Sequence, residues 1–136
     1  MRILVVEDER PLGHAIALAL GKGLGAHVDL SHDGSTAVQL FDRVEQHAYE
    51  LAILDWWVPP PTGIELLRRF RHDPRIGSIV MMSGSYGGPE RAEAHACGAD
   101  LYLEKPFSLI DLIEHCRRLT EVPHPALAKR KPETAR

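Results

Sequence analysis

The chain has 136 residues, 44% hydrophobic and 26% charged, which is enough for one compact core and too few for two domains. A net charge of -3 gives no overall pull toward nucleic acid, so direct nucleic-acid binding by this domain is not expected. No apolar run approaches the ~20 residues of a membrane span, and Ile3-Leu4-Val5-Val6 meets Glu7-Asp8-Glu9 too soon for a secretory signal, so the chain reads as soluble and cytoplasmic.

Ile3-Leu4-Val5-Val6 is a continuous apolar run ending abruptly in acids, the pattern of a strand buried on both faces of a parallel sheet. Pro11 suits a first helical turn, and Leu12, Ile16, Ala19 and Leu20 follow at helical spacing. Gly21, Gly23 and Gly25 are expected to end that helix before a second short strand over 26–30. Asp33-Gly34-Ser35 marks a turn and cap, and a second helix runs through Ala37, Val38, Leu40, Phe41 and Val44. Leu51-Ala52-Ile53-Leu54 is a third apolar run, ending in Asp55 ahead of the helix-hostile Val58-Pro59-Pro60-Pro61. From Gly63 to Arg71 a helical pattern resumes, with Ile64, Leu67 and Phe70 on one stripe. Ile79-Val80-Met81-Met82 predicts a fourth strand entering the polar turn 83–88, and a fourth helix spans Pro89 to Cys97. Leu101-Tyr102-Leu103 is a short fifth strand ending at Lys105-Pro106, after which Ser108 and Asp111 open a last helix through Leu109, Leu112, Ile113 and Cys116.

Strand and helix thus alternate five times, which predicts an α/β fold: a doubly wound five-stranded parallel sheet in the order 2-1-3-4-5. Residues 1–120 make that domain, and 121–136 read as a basic, proline-containing tail or the stub of a linker.

Ligands of such sheets bind at the carboxyl ends of the strands near the topological switch point. Glu7 and Asp8 follow the first strand, Asp55 the third, Ser83 the fourth and Lys105 the fifth, so five residues far apart in the chain should meet on one rim. Three carboxylates together repel one another and imply a cation, and hard oxygen ligands select Mg²⁺ or Mn²⁺ over Zn²⁺. A carboxylate beside such an ion, with a lysine and a hydroxyl at hand, can attack phosphorus and become an aspartyl phosphate. Asp55 stands alone at its strand end and is the expected acceptor, whereas the adjacent Glu7 and Asp8 suit metal holding, Glu7 through water.

Together these residues resemble the response-regulator receiver family of two-component signalling, over roughly residues 1–120. Ile3-Leu4-Val5-Val6-Glu7-Asp8-Glu9 is similar to its first strand and acidic pair, and Leu54-Asp55-Trp56-Trp57-Val58-Pro59 with Gly63 to its phosphoacceptor strand and loop. Ser83-Gly84 matches the hydroxyl position, and Gly98-Ala99-Asp100, Tyr102-Leu103 and Lys105-Pro106-Phe107 match the fifth-strand region. The resemblance implies a flavodoxin-like (βα)5 fold with Mg²⁺ bound by Asp8, Asp55 and the Trp57 carbonyl. It implies that Lys105 pairs with the phosphoryl group or with Asp55, and that Lys105-Pro106 is cis. Ser83 would be drawn to a phosphoryl oxygen, letting Tyr102 turn inward and changing the face of the fourth helix, fifth strand and last helix. The phosphodonor would be a histidine kinase or histidine phosphotransfer protein. The receiver of the signal would be a downstream protein or an output domain of a longer regulator. The domain would not be an enzyme in the ordinary sense, since it catalyses only its own phosphorylation and dephosphorylation. A homodimer through the switching face belongs to the resemblance, but Leu101 stands where many members carry a second acid after Asp100, which weakens that transfer. Val58 replaces the usual Met, and Trp57, two residues after the acceptor, is expected to shield the acyl phosphate from water.

Taken singly, each residue has a blander explanation. Acids after a strand are often solvated loop charges, a serine there is usually a turn former, and Tyr102 alone suits a half-buried strand position. Convergence of all five is what favours a phosphoacceptor. A partner-binding pseudo-receiver that is never phosphorylated has no need of mutually repelling acids. A phosphohydrolase would want a second acid where Trp57 stands. The eight histidines show no zinc-site spacing, and His14 near the rim is best read as an exposed helix residue. Cys97 and Cys116 match neither a CxxC pair nor a zinc knuckle and read as reduced core residues.

Overall fold

The computed structural model describes residues 1–43, 49–84 and 88–129. Along the chain lie β1 (Arg2–Val6), α1 (Arg10–Leu24), β2 (His27–Ser31), α2 (Gly34–Asp42) and β3 (Tyr49–Asp55). There follow α3 (Gly63–Phe70), β4 (Ile76–Ser83), α4 (Gly88–Ala96), β5 (Leu101–Glu104), α5 (Leu109–Thr120) and a 3-10 turn over Pro125–Lys129. Val44, residues 85–87 of the turn after the fourth strand, and Arg130 and Lys131 of the basic tail lie outside the described residues. All strand pairs are parallel and the sheet order is β2-β1-β3-β4-β5, as the alternation of elements predicts.

Successive side chains of a strand point to opposite faces, and here both faces are covered. Leu4, Val6, Ala52, Leu54, Ile79 and Met81 face one way and pack with Phe41 of α2, Leu67 and Phe70 of α3 and Ala94 of α4. Ile3, Val5, Leu51, Ile53, Val80 and Met82 face the other way, onto Ile16 and Leu20 of α1 and Leu112 and Cys116 of α5. The unbroken apolar runs of the sequence are therefore two interleaved sets serving two separate cores.

Side-chain caps set the starts of α2, α3 and α5. Asp33 accepts from the Thr36 N–H at 2.6 Å and Ser108 from the Asp111 N–H at 3.3 Å. Thr62 and Glu65 form a reciprocal capping box at the head of α3, a signal already written in the Thr62–Glu65 spacing.

Two boundaries differ most from expectation, the others shifting by one or two residues. The first helix does not stop at Gly21 or Gly23; it continues to Leu24 and ends at Gly25, whose φ of 64° suits a residue without Cβ. A helical glycine costs about 1 kcal/mol relative to alanine, and at Gly23 packing offsets it: a Cβ there would stand 3.0 Å from the Ile113 side chain of α5. The fourth strand begins three residues early, at Ile76, because Tyr49 and Leu51 of β3 pair with Ile76 and Ser78. Register with a neighbour decides strand membership there, over the poor strand propensity of Gly77.

Below the sheet, at the end away from the strand carboxyl termini, Arg71 reaches Asp100 at 3.2 Å and the Gly77 carbonyl at 2.7 Å. His124 meets the other Asp100 oxygen at 3.0 Å, and the 3-10 turn that follows sits against β4.

Candidate functional site: an acidic cluster at the strand ends

Parallel pairing brings the ends of β1, β3, β4 and β5 to one rim. Val6 pairs with Leu54, Asp55 with Met82 and Ser83 with Glu104, so Glu7, Asp55, Ser83 and Lys105 emerge side by side. Glu7 is held by its own backbone, its N–H donating to the Ser31 carbonyl at 2.9 Å. The Asp55 backbone is wedged by the next helix: the Gly63 N–H donates to the Trp56 carbonyl at 2.9 Å, and any Cβ on residue 63 would run into the Asp55 carbonyl. Only glycine lets α3 start so close to the acceptor strand.

Glu7, Asp8 and Asp55 each place a carboxylate oxygen within 4.8 Å of the others. Glu7 is fully buried and Asp55 is 4% exposed, while Asp8 opens to solvent. The Lys105 ammonium donates to both Glu7 oxygens, at 2.7 and 3.0 Å, and lies 3.2 Å from Asp55 Oδ2. The peptide that carries it, Lys105–Pro106, is cis. Burial, seconded by Asp55, pushes the Glu7 carboxyl up to about 8 in spite of Lys105. Asp8 is raised too, again by burial and then by Asp55. Burial works hardest on Lys105 in the opposite sense, but Glu7 and Asp55 outweigh it and hold the ammonium above its ordinary value.

One lysine therefore faces three acids, and the cluster is short of positive charge. A proton on Glu7 or a divalent cation can supply it, and the donor set fits the second: oxygen atoms only, with one ligand residue facing water. Two hollows flank the cluster. One of about 650 Å³ lies between Asp8, Arg10, His32 and Pro59, and one of about 400 Å³ lies between Glu9, Leu12, Lys105 and Phe107.

Ser83 is fully buried and donates through Oγ to Glu90 Oε2 of α4 at 3.0 Å. Tyr102 Oη donates to the same oxygen at 3.4 Å. The Tyr102 ring, expected to turn inward only on phosphorylation, is 2% exposed here, with the Arg91 guanidinium 4.9 Å from its centroid. Trp57 is 58% exposed and leans on the buried Trp56, ring centres 6.4 Å apart. His14, weighed from sequence as an exposed neighbour of the rim, is exposed and pairs with the His32 ring at 5.5 Å. His32 Nδ1 in turn meets the Glu7 carbonyl at 2.8 Å. Glu90 escaped the sequence reading because it does not stand at a strand end, and His32 because, although it directly follows β2, the reading drew its site from the ends of the other four strands. Only the packing of α4, and the turn after β2, bring them in.

A family model described as the response regulator receiver domain matches residues 3–117. The chain belongs to that family, the receiver domains of two-component response regulators. It is 35% identical over 133 residues to the transcriptional regulatory protein CutR of Streptomyces coelicolor, covering 96% of this chain and 59% of CutR. Over 122 residues it is 40% identical to the response regulator RppA of Synechocystis, covering 88% of this chain and 50% of RppA. The chain thus spans 45% to 59% of the length of the curated relatives it matches. Among solved structures, the receiver domain of the Francisella response regulator 1452 superposes with a TM-score of 0.79 at 26% identity, covering 88% of this chain and 96% of that one. A CheY-like receiver domain protein from Methanospirillum hungatei gives 0.75 at 25% identity, covering 88% and 94%. Among the described residues no helix is long and apolar enough to cross a membrane.

Proposed function

We propose that Asp55 accepts a phosphoryl group from a phosphohistidine of a histidine kinase or histidine phosphotransfer protein, with Mg²⁺ present at the acidic cluster. The reading rests on one observation: a single lysine reaches both Glu7 and Asp55 within a cluster of three acids. An Asp55 carboxylate oxygen attacks phosphorus in line, the phosphorus–nitrogen bond of the donor breaks, and the leaving imidazole takes up a proton. Lys105, already 3.2 Å from the attacking carboxylate, needs only to shift toward the phosphoryl oxygens to offset their charge. Ser83 donates its hydroxyl proton to another of those oxygens. Glu7, Asp8, Asp55 and the Trp57 carbonyl would hold the ion, Glu7 through water, and when bound the ion neutralises charge on the transferring group. A divalent cation beside Glu7 favours its ionised form, because the added positive charge draws the proton away. The two hollows beside the cluster leave room for a donor side chain to approach from outside.

The change at Ser83 and Tyr102 alters the face made by α4, β5 and α5, and a partner or an output domain reads it. Because Tyr102 is already buried, the switch on it is an exchange of hydrogen-bond partners rather than a change in burial.

Incubation with Mg²⁺ and acetyl phosphate, followed by intact mass, tests the reading. A single acid-stable, base-labile phosphoryl adduct is expected, absent in Asp55→Ala and absent in chelator. An unmodified wild-type protein would leave a phosphorylation-independent binding module, and turnover of external esters would make it a hydrolase.

A further inference from the structure

The first turn of α4 is tied to the strand ends by charged side chains of its own. Glu90 sits in that turn, and one of its oxygens receives both the Ser83 hydroxyl at 3.0 Å and the Tyr102 phenol at 3.4 Å. The next residue, Arg91, lies 4.9 Å from the Tyr102 ring centre and pairs with Glu104 at 3.2 Å. Ser83 and Glu104 are register partners on β4 and β5, and the Lys105 N–H donates to the Ser83 carbonyl at 2.8 Å. Glu90 thus touches one residue whose side chain should meet the phosphoryl group and one that should relay its arrival.

A serine hydroxyl has one proton to donate. While Glu90 receives it, a phosphoryl oxygen on Asp55 cannot, and both claimants are anions competing for the same donor. We propose that Glu90 is a further positioning residue of the switch, a carboxylate that holds the Ser83 hydroxyl and the Tyr102 phenol until a phosphoryl group on Asp55 takes Ser83 from it. Losing Ser83 leaves Glu90 next to a new negative charge with a weaker hold on Tyr102, so the first turn of α4 is released toward solvent. Arrival of the phosphoryl group and movement of α4 then become one event, coupled through a single carboxylate oxygen.

This proposal rests on the reading of Asp55 as acceptor, and the test separates the two. Beryllofluoride with Mg²⁺, a phosphoryl mimic, is titrated into the full chain while backbone amide resonances of α4 and β5 are followed. Glu90→Ala is expected to bind the mimic about tenfold more tightly, the worth of one hydrogen bond to a charged group. Glu90→Gln should gain less, since its amide oxygen still accepts from Ser83 without the charge. The gain should disappear in a Ser83→Ala background, and Glu104→Gln, which also removes an acid near the rim, should show none. A gain that persists without Ser83, or that Glu104→Gln reproduces, would reduce Glu90 to general charge repulsion and overturn the proposal. Unchanged affinity in both Glu90 variants would overturn it as well, with Asp55 phosphorylation untouched. If the wild-type protein neither binds the mimic nor takes a phosphoryl group from acetyl phosphate, the acceptor assignment falls and this proposal with it. Should the variants unfold, the ¹³C resonance of the wild-type Glu90 carboxyl serves instead: it must move on mimic binding, and a stationary signal refutes the exchange.

Discussion

Replacing the acceptor with its neutral isostere, Asp55→Asn, is expected to stabilise the protein when divalent cations are absent. One oxygen from each acid lies within 4.8 Å of the others, so at an effective dielectric of about 20 each ionised pair repels by at least about 3 kcal/mol. Asp55 belongs to two such pairs. Its attraction to Lys105 at 3.2 Å offsets about 5 kcal/mol of that on the same scale. Solvent screens the pair with the exposed Asp8, while the desolvation of a nearly buried Asp55 charge acts in the other direction. The net gain from removing the charge is roughly 2 kcal/mol, a rise of roughly 6 °C in melting temperature for a domain of this size. Glu7 gives the effect a pH signature. Its carboxyl, ordinarily near 4.5, is pushed up to about 8 in the folded protein. Between those values the folded state keeps a proton that the unfolded chain has lost, so this contribution to stability falls as pH rises through the window. The advantage of Asp55→Asn should therefore be largest above pH 8, where Glu7 is ionised and repels Asp55, and shrink as pH falls below that value, where Glu7 takes up a proton and the lost Lys105 contact weighs more heavily against the variant. Thermal unfolding in chelator across that range, repeated in millimolar MgCl₂, is the assay, and Mg²⁺ should raise the wild type more than the variant. A variant that melts at or below the wild type in chelator above pH 8 would refute the electrostatic account of the cluster.

Trp57→Asn should shorten the phosphoryl lifetime several-fold, measured as loss of the adduct mass after donor removal, and an unchanged or longer lifetime would count against shielding by the indole. Thr62→Ala removes one half of the capping box on α3 and should lower stability by about 1 kcal/mol in urea unfolding, leaving the slope of the transition unaltered. Burial pushes the Cys116 thiol up to about 12, whereas Cys97 is half-buried. Iodoacetamide on the native protein should therefore alkylate Cys97 well before Cys116, and peptide mapping that finds the reverse order would place Cys116 in a more open environment than the fold allows.

The sheet was legible because burial on both faces leaves an unmistakable mark, apolar residues without alternation, in β1 and β3. The strand-end acids were legible for a related reason: a charge that follows such a run at once has nowhere to go but the rim. Boundaries were harder to read where they depend on a neighbour. Nothing local says that Gly23 continues a helix, since what favours glycine there is the Ile113 side chain on another element. Nor does Ile76-Gly77-Ser78 look like a strand until Tyr49 and Leu51 are laid beside it. Glu90 is the extreme case. It lies on the least apolar of the helices that face the sheet, and its importance depends on which way the first turn of α4 points, a consequence of tertiary packing that no sequence window contains.

Because β1, β3 and β4 each divide their side chains between two independent cores, sliding one of them by a single position would expose one whole set and bury its opposite. The middle of this sheet is in effect a rigid floor. A charge delivered at Asp55 cannot travel down through it and must spread sideways, from one strand tip to the next, where Ser83 and Tyr102 can exchange hydrogen-bond partners without disturbing the register of the strands. Any neighbour that listens to this domain therefore has most to gain by sitting near that upper edge, within reach of the opening turn of α4 and the segment after β5, rather than beneath the floor where Arg71 and His124 grip Asp100.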